Sequence, residues 1–397
     1  MTSSQAPNET SSEVSDEALQ APFQPKEDHE RLYFTDNLRT YLIVLVVLHH
    51  IAIVYGMVGA FYYYEPPYHD PLAYAVLIIF AAFDQAYFMG LLFMISGYFT
   101  PGSLERKGPR RFTKDRLIRL GIPLVVFFFV LSPIAAIGLY EMPASLGGIT
   151  TPFTWQAYPM LLGVGPMWFV ELLLFFDIGY AIWWAARRNR RLQPASTAKP
   201  LRYRTIAAFI LLLAFISYLI RIIIPIGAFV AGFPSLAYLP QYLSFFIIGM
   251  VAVRHNWFRT VSKSMGRMGF LMVLVATLTV FPIAVSAGTT FVLGNGYWQS
   301  AAYALWDSIV AVGMSLGLIT LFRERINWSG RRSRFLQRHS YAVYFIQAPV
   351  IVFVALALRG LSIEHLLKFG LAAIITVPLC FALAYLILKI PYVSRVL

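Results

Sequence analysis

The 397-residue sequence contains a single cysteine, Cys380, which lies inside an apolar segment near its end. One cysteine excludes an intrachain disulfide framework and a cysteine-based metal site. Charged residues are also scarce, at 13% of the chain, whereas 58% of the residues are hydrophobic. Soluble domains carry about 25% charged residues. The composition therefore indicates a polytopic membrane protein.

The first thirty residues contain almost no large apolar side chains and are rich in serine and glutamate. Such a segment cannot bury enough apolar surface to fold, so residues 1–30 are predicted to form a disordered cytoplasmic tail. The stretch also lacks the basic start and apolar core of a signal peptide. The remaining residues, 31–397, are expected to form one transmembrane domain.

Ten apolar segments are long enough to cross a bilayer as helices, which takes about 20 residues each. They run over residues 38–58, 74–99, 117–140, 158–186, 202–224, 238–254, 266–286, 298–322, 335–357 and 366–389. The pattern predicts an all-α fold, a polytopic membrane bundle of about ten transmembrane helices.

Basic residues are distributed unevenly between the loops. Of the 32 lysines and arginines, 29 fall on one side of the alternating segments, in 100–119, 187–204, 254–267, 323–338 and near the two ends of the chain. Cytoplasmic loops are enriched in these residues, so both termini are predicted to be cytoplasmic. The formal charge of +13 is spread in short runs between apolar segments, which argues against nucleic-acid binding.

The first apolar segment, RTYLIVLVVLHH, ends in two adjacent histidines, His49 and His50. In an α-helix, the eleven residues from Arg39 to His50 turn through about 1100°, which brings the two side chains within about 20° of one face. They are about 16 Å apart along the axis. Asp36 lies near the same face, whereas His49 points about 80° away from it. We therefore predict a polar stripe of Asp36, Arg39 and, near mid-membrane, His50.

An imidazole in lipid would leave its nitrogens without hydrogen-bond partners, at a cost of a few kcal/mol. His50 is therefore expected to face the bundle interior or a cavity. Two interpretations remain open at this point. His50 is either a structural histidine between helices, or a general base that takes a proton from a hydroxyl near neutral pH. For His49 the pattern favours the structural interpretation.

Five stretches, in order, are similar to motifs of the acyltransferase type 3 family of integral membrane proteins. They are FTDNLRTYLIVLVVLHH, FMISGYF (93–99), RFTKDRLIRLGIP, PMWFVELLLFFD (166–177) and HSYAVYFIQAPVI (339–351). The family's Arg-x10-His signature falls on Arg39 and His50, and its Arg-x-x-Arg motif falls on Arg116 and Arg119. Gln347 stands where a histidine often occurs in the family. The likeness spans about 31–390 and is greatest to bundle-only members such as glucan succinyltransferases.

The resemblance implies that 31–397 is a transmembrane acyltransferase domain. An acyl group, such as acetyl or succinyl, would pass from cytoplasmic acyl-coenzyme A to a hydroxyl at the outer side of the membrane. The acceptor would be a sugar, a glycan or another small molecule, and the membrane a bacterial inner membrane. His50 would be the base or would itself be transiently acylated. Membrane lipids are the other expected partners; no metal and no tightly bound cofactor are expected.

Arg116 and Arg119 are three residues apart, so on a regular helix they share a face and are able to bind one phosphate together. Coenzyme A carries several phosphates, which makes these two residues, with Arg39, the predicted donor-binding groups. The alternative is that the basic residues here only set the orientation in the membrane and attract anionic headgroups.

Five charged side chains fall inside apolar segments, where charges are costly and usually paired or functional: Asp84, Glu171, Asp177, Arg221 and Asp307. The sequence does not pair them. Glu171, three residues after Trp168, is the second candidate for the catalytic cavity. Trp168, Asp84 and His49 are the candidate acceptor-binding residues.

A second function, that of a secondary transporter or flippase, remains open. Asp84, Glu171 and Arg221 would then be its coupling groups. Such folds are often built from repeated halves, and the sequence has no visible repeat. Release of coenzyme A from a thioester would separate the two functions, because a transporter does not catalyse it.

Two outer-loop stretches, FYYYEPPYHD at 61–70 and TTFVLGNGYWQS at 289–300, are rich in aromatic residues and carry a few carboxylates and amides. Both are typical of an interfacial aromatic belt, although aromatic residues also stack on sugar rings. Four further histidines, His69, His255, His339 and His365, are isolated near loops and are expected at the surface.

Overall fold

The computed structural model describes residues 32–66, 70–187, 199–230, 233 and 236–397. The tail predicted over residues 1–30 lies outside these ranges, as does His69. Within them the chain is helical and forms no β-strand. The predicted all-α fold is confirmed.

The longer helices are α1 (Tyr33–Gly56), α2 (Pro71–Gln85), α3 (Phe88–Lys107), α4 (Pro109–Glu141), α5 (Trp168–Ala186), α6 (Tyr203–Ile223), α7 (Leu239–Arg254), α8 (Lys263–Val285), α9 (Trp298–Arg325), α10 (Arg331–Leu358) and α11 (His365–Ile387). Helices α2 and α3 belong to one span. The described part of the chain therefore has ten apolar stretches long enough to cross a membrane, which confirms the predicted number.

The second span is broken, although its sequence predicts one continuous helix over 74–99. The break lies at Ala86 and Tyr87, between α2 and α3. The side chain of Gln241 reaches into it and donates from Nε2 to the Ala86 carbonyl, at 2.5 Å. A side chain inserted into the hydrogen-bond ladder is a common cause of a kink and satisfies the backbone group that the kink frees.

Helix α4 contains two π turns, Leu117–Gly121 and Phe127–Leu131. Each is followed by a proline that lacks the N–H for its i−4 carbonyl, Pro123 for Arg119 and Pro133 for Phe129. Tyrosine hydroxyls bond the freed carbonyls instead: Tyr341 donates to Arg119 O at 2.9 Å, and Tyr158 donates to Phe129 O. The wider turns of α4 are thus stabilised from neighbouring segments.

Helix α1 lies at the centre of the bundle and packs against α2, α3, α9, α10 and α11. The most buried spans are α1, α9 and α10, whereas α8 and α11 are largely exposed and peripheral. We call the face where α1 begins the basic side, because the basic loops lie there, and the other face the opposite side.

Polar side chains join α1 and α10, which both begin on the basic side. Gln337 Nε2 donates to Asn37 Oδ1 at 2.7 Å, and Thr40 Oγ1 lies 3.0 Å from Ser340 Oγ. Hydrogen bonds between side chains are one of the main forces between helices in a membrane, where apolar burial contributes little. These contacts set the register between the two helices.

Arg221 forms a buried ion pair that the sequence left unassigned. Its Nη2 atom lies 2.5 Å from Asp307 Oδ2, and neither side chain is accessible to solvent. The guanidinium also lies 4.7 Å from the Tyr238 ring centroid and 5.6 Å from that of Tyr303. A pair packed in this way joins α6 to α9.

The expectation that the isolated histidines lie at the surface is wrong for two of them. His339 and His365 are 5% and 1% exposed. His339 lies on the buried helix α10, and His365, the first residue of α11, is covered locally by the rings of Tyr55 and Tyr74. The local sequence does not indicate such contacts. His339 Nδ1 lies 2.5 Å from the carbonyl of Phe335, one turn earlier. His255 is half-buried.

Candidate active site

His50 is held in a defined tautomer. Its Nδ1 atom lies 2.9 Å from the Val46 carbonyl oxygen, one turn earlier, and 3.2 Å from Gln347 Oε1 on α10. Both oxygens can only accept, so Nδ1 carries the proton and donates. In the neutral ring the lone pair is then on Nε2, which makes no hydrogen bond to a described residue. A neutral imidazole with a free Nε2 lone pair is the form that a general base or a nucleophile requires.

The chain after α1 folds back over His50. The reversal begins at Met57 and Gly59, which both have positive φ, 52° and 84°. The ring of Phe61 then packs on the imidazole of His50, with centroids 5.1 Å apart and planes 31° apart. His50 is six residues, about 9 Å, below the end of α1, so this loop enters the bundle to that depth. Phe61 therefore forms the wall of the site that faces the opposite side of the bundle.

Buried charges anchor the returning loop. Glu65 accepts from Lys368 Nζ on α11 and, at 3.0 Å, from Tyr63 OH. Its backbone N–H donates to the Val54 carbonyl at 3.0 Å. Tyr63 and Glu65 are 1% and 4% exposed. The interpretation of this stretch as an interfacial belt is therefore wrong for these two residues, because the loop packs inward.

The loop also packs against the turn that precedes α5. Tyr62 OH lies 3.0 Å from Ser132 Oγ, which itself donates to the Leu161 carbonyl at 2.9 Å. Gly165 has a φ of +42°, and a Cβ at this position would lie 2.2 Å from Tyr62 OH. Only glycine fits both the backbone and the contact.

A hydrogen bond joins α10 to the turn before α5, about one helical turn from Gln347, the residue that contacts His50. Tyr344, three residues before Gln347, donates from its hydroxyl to the Pro166 carbonyl. Its ring also packs against Phe169, with centroids 6.1 Å apart. Glu171, one turn further along α5, is half-buried and has no hydrogen bond or ion pair within the described ranges. Its catalytic role stays a prediction.

Trp168 is connected to the break in the second span. Its indole stacks on the ring of Tyr242, with centroids 5.3 Å apart and planes 29° apart. The Tyr242 hydroxyl accepts from Gln85 Nε2 at 2.9 Å. Gln85 follows Asp84 directly, so this contact of Trp168 reaches the end of α2 that carries Asp84. Their role in acceptor binding stays a prediction.

His49 and Asp84 face one another inside the bundle. His49 Nδ1 lies 3.9 Å from Asp84 Oδ2, which is too long for a hydrogen bond, and neither atom has another partner in the described part of the chain. Both residues are buried. The imidazoles of His49 and His50 are 5.7 Å apart, edge to face. The structure thus places an unsatisfied polar pair beside the candidate base.

Arg39 and Asp36 lie at the basic end of α1, as the helical spacing predicts. Arg39 Nη1 is 3.6 Å from Asp36 Oδ1, and the guanidinium lies 5.8 Å from the Phe99 ring centroid. The Arg39 side chain is 43% exposed. An arginine in this position reaches solvent at the basic end of the bundle. Its binding to a donor phosphate stays a prediction.

Arg116 is bound to a buried carboxylate of α5. Its Nε atom lies 3.0 Å from Asp177 Oδ2, and Thr100 Oγ1 donates to Asp177 Oδ1 at 2.9 Å. Arg119 is exposed. The π turn Leu117–Gly121 widens the helix between the two arginines. Joint phosphate binding stays a prediction.

Several residues of this site had no individual role predicted from the sequence. Phe61 and Tyr62 lie in the FYYYEPPYHD stretch, for which an aromatic belt and sugar stacking were the two interpretations. Tyr344 and Gln347 lie in the HSYAVYFIQAPVI motif, but neither the bond of Tyr344 to Pro166 nor the pairing of Gln347 with His50 was predicted. Gly165 carried no signal, because a glycine at a membrane boundary has many uses.

The fold and the site define an integral membrane protein with a half-buried histidine, His50, beside a polar cluster inside the bundle. The model of a family described as an acyltransferase domain matches residues 32–385. The chain belongs to this acyltransferase family, and the resemblance drawn from its five motifs is confirmed. It is an enzyme of the acyltransferase class.

Curated relatives agree over almost the whole chain. Proteins named glucans biosynthesis protein C from Salmonella schwarzengrund, Salmonella paratyphi A and Salmonella agona are each 23% identical over 380 residues. The matches cover 91% of this chain and 93% of each relative. No solved structure matches significantly.

Proposed function

We propose that this acyltransferase moves an acyl group, acetyl or succinyl, from acyl-coenzyme A to a glucan hydroxyl across a bacterial inner membrane. His50 is the base or the acyl carrier. The observation that carries the proposal is the Nε2 atom of His50, left with its lone pair because Nδ1 donates to Val46 O and Gln347 Oε1. The name of the Salmonella relatives supports a glucan as acceptor.

In the first route His50 acts as a general base. Nε2 takes the proton of the acceptor hydroxyl while its oxygen attacks the thioester carbonyl. The carbon–sulfur bond breaks, and the imidazolium returns the proton to the leaving thiolate. The products are an ester and coenzyme A. Nδ1 keeps its proton throughout, so the bonds to α10 hold the ring in place.

In the second route His50 carries the acyl group. Nε2 attacks the thioester carbonyl, the carbon–sulfur bond breaks and coenzyme A leaves as the thiol, with the proton that Nδ1 releases. The acceptor oxygen then attacks the acyl carbon and the bond from that carbon to Nε2 breaks. The hydroxyl proton returns to Nδ1, which restores the neutral ring and leaves the ester. This route lets donor and acceptor reach the histidine at different times, from the two sides of the membrane.

The two substrates are assigned to opposite ends of the site. The phosphates of coenzyme A would meet Arg39, Arg119 and the solvent-facing part of Arg116 on the basic side. The acceptor would enter past Phe61, with Trp168 as a stacking surface for a sugar ring. About 16 Å of α1 separates Arg39 from His50, so the acyl end of the donor must reach into the bundle.

The test uses purified full-length protein in nanodiscs with acetyl- or succinyl-coenzyme A and a glucan oligosaccharide. We expect thiol release that depends on the acceptor, with the acyl group recovered on the sugar. Glycerol, as a non-sugar hydroxyl acceptor, is expected to support much less release. If neither donor binds or turns over, the proposal fails and coupled uptake becomes the function to test.

A single-turnover experiment separates the two routes. Labelled acyl-coenzyme A is mixed with enzyme in the absence of acceptor. Label retained on the protein, and released by added glucan, supports the carrier route. Retention of no label, together with full turnover when glucan is present, supports the base route.

A further inference from the structure

A cleft of about 350 Å³ opens at the basic end of the bundle, between α8 and α9. Its polar lining is Lys263, Arg267, Thr320, Glu324 and Arg325. Phe270 supplies an apolar wall. The site described above uses none of these residues.

The cleft carries an excess of positive charge. Lys263 Nζ lies 2.7 Å from Glu324 Oε2, so these two charges neutralise one another. Arg267 and Arg325 are exposed and form no ion pair within the described residues. Two positive charges therefore remain available to an anion.

A buried hydroxyl in the same cleft has no partner. Thr320 is 7% exposed, and its Oγ1 atom has no hydrogen bond in the described part of the chain. A threonine inside a helix usually bonds the carbonyl one turn earlier, and this one does not. An unsatisfied buried hydroxyl is costly, so it points to a ligand oxygen that satisfies it.

The cleft faces away from the catalytic histidine. Phe322 of α9 packs against Tyr41 of α1, with ring centroids 5.6 Å apart. Thr320 is two residues earlier, about 200° around the helix, and therefore faces α8. Helix α8 is the most exposed span of the bundle. A molecule in the cleft would thus lie at the periphery and not on the path from Arg39 to His50.

An apolar stripe leads from the cleft along the membrane-facing surface of α8. Leu271, Leu274 and Leu278 are 51%, 56% and 68% exposed. They follow Arg267 at intervals of four, three and four residues, so all lie on one face of the helix. Charge at the membrane boundary, continued by an apolar stripe, matches a headgroup and its acyl chains.

We propose that this cleft binds the phosphate of an anionic phospholipid through Arg267 and Arg325, with its acyl chains along α8. Thr320 donates to a phosphate oxygen, and the lipid stabilises the contact between α8 and α9. Basic pockets between helices at the cytoplasmic boundary are suited to such headgroups. The inference is independent of the acyl transfer proposed above.

Native mass spectrometry of the full-length protein tests the proposal with phosphatidylglycerol and phosphatidylcholine of equal chain length. We expect phosphatidylglycerol to bind preferentially, and the double variant Arg267→Gln/Arg325→Gln to bind it at least about tenfold more weakly. The matched control, Arg332→Gln/Arg334→Gln, removes the same charge from exposed positions outside the cleft and is expected to bind normally. Equal binding by both double variants would overturn the proposal.

Two further measurements test whether the cleft recognises a lipid phosphate in particular. Thr320→Val retains the side-chain shape and removes the hydroxyl, and we expect a several-fold loss of phosphatidylglycerol binding with an unchanged thermal midpoint in phosphatidylcholine. Added coenzyme A, which carries phosphates without acyl chains along α8, is expected not to displace the lipid. Full displacement by coenzyme A would identify a site for soluble phosphates and contradict a lipid site.

Discussion

The chemistry of His50 follows from two oxygen atoms. Val46 O and Gln347 Oε1 both accept from Nδ1, and this places the reactive lone pair on Nε2. His339 makes the same bond to a carbonyl one turn earlier, yet lies near the basic end of α10. Comparing His50 with His339 therefore distinguishes the effect of any helical imidazole bonded in this way from the effect of its position in the bundle.

We expect His50→Gln to lower the rate of acyl transfer by at least about 10²- to 10⁴-fold, which is the usual contribution of a general base. Glutamine is polar and of similar size, so the bundle should stay folded. Thiol release and product formation in nanodiscs measure the effect. His339→Gln is the control and should retain most of its activity; an equal loss in both variants would show that the effect is structural.

Gln347 is expected to act as a positioning residue. Gln347→Leu removes the second acceptor of Nδ1 and should lower kcat about tenfold, the effect of losing one hydrogen bond to a group that becomes charged. Gln347→His, which retains a polar partner, should recover part of the loss. If Gln347→Leu changes only KM for the glucan, the residue contacts the acceptor instead.

Arg116 and Arg119 should differ in a measurable way. Arg116→Gln leaves Asp177 buried without its cation, so we expect about 1–3 kcal/mol lower stability in detergent as well as weaker donor binding. Arg119→Gln should weaken donor binding alone, because the side chain is exposed. Thermal unfolding and titration with coenzyme A separate the two. Equal thermal midpoints for both variants would contradict this division.

At the scale of helices, close backbone contacts hold α3 against α7. A Cβ on Gly97 would lie 2.1 Å from the Phe246 carbonyl oxygen, and one on Gly249 would lie 2.1 Å from that of Met94. Small residues let helix backbones approach in a membrane. The Ser-Gly-Tyr motif at 96–98 is therefore explained by packing, at least for its glycine.

Gly97→Ala is expected to destabilise the protein by about 1–3 kcal/mol, since the methyl group meets a backbone oxygen that cannot move aside. Gly179→Ala, in α5, is the matched control because nothing lies within 4 Å of its added Cβ. Alanine is a better helix former than glycine, so this variant should be neutral or slightly more stable. Thermal unfolding in one detergent compares them. A midpoint for Gly97→Ala equal to that of the parent would show that the helices separate easily.

For the whole molecule, the arginine-rich loops predict that the basic side is cytoplasmic. Single cysteines at Ala144 and Arg332, in a Cys380→Ser background, lie on the opposite and the basic sides. In intact cells a membrane-impermeant maleimide should label Ala144→Cys at once and Arg332→Cys only after permeabilisation. The reverse order would invert the topology and place the proposed donor site outside.

The scale of the whole chain is also where the sequence was most informative. Ten apolar segments, the basic loops and five ordered motifs predicted the bundle and its family. Hydropathy and charge are properties of each segment by itself, so the summed hydropathy and charge of a segment do not depend on which helices it contacts. The stripe of Asp36, Arg39 and His50 was equally accessible, because helical periodicity is local.

The tertiary structure decided which residues contact His50 and Arg116. Gln347 is 297 residues from His50, Asp177 is 61 residues from Arg116, and Phe61 reaches His50 only because the loop turns inward. Such contacts depend on how helices pack, and apolar segments in lipid offer many packings of similar hydropathy. The sequence alone determined that a histidine lies within the membrane; the assembled bundle decided which nitrogen carries its proton.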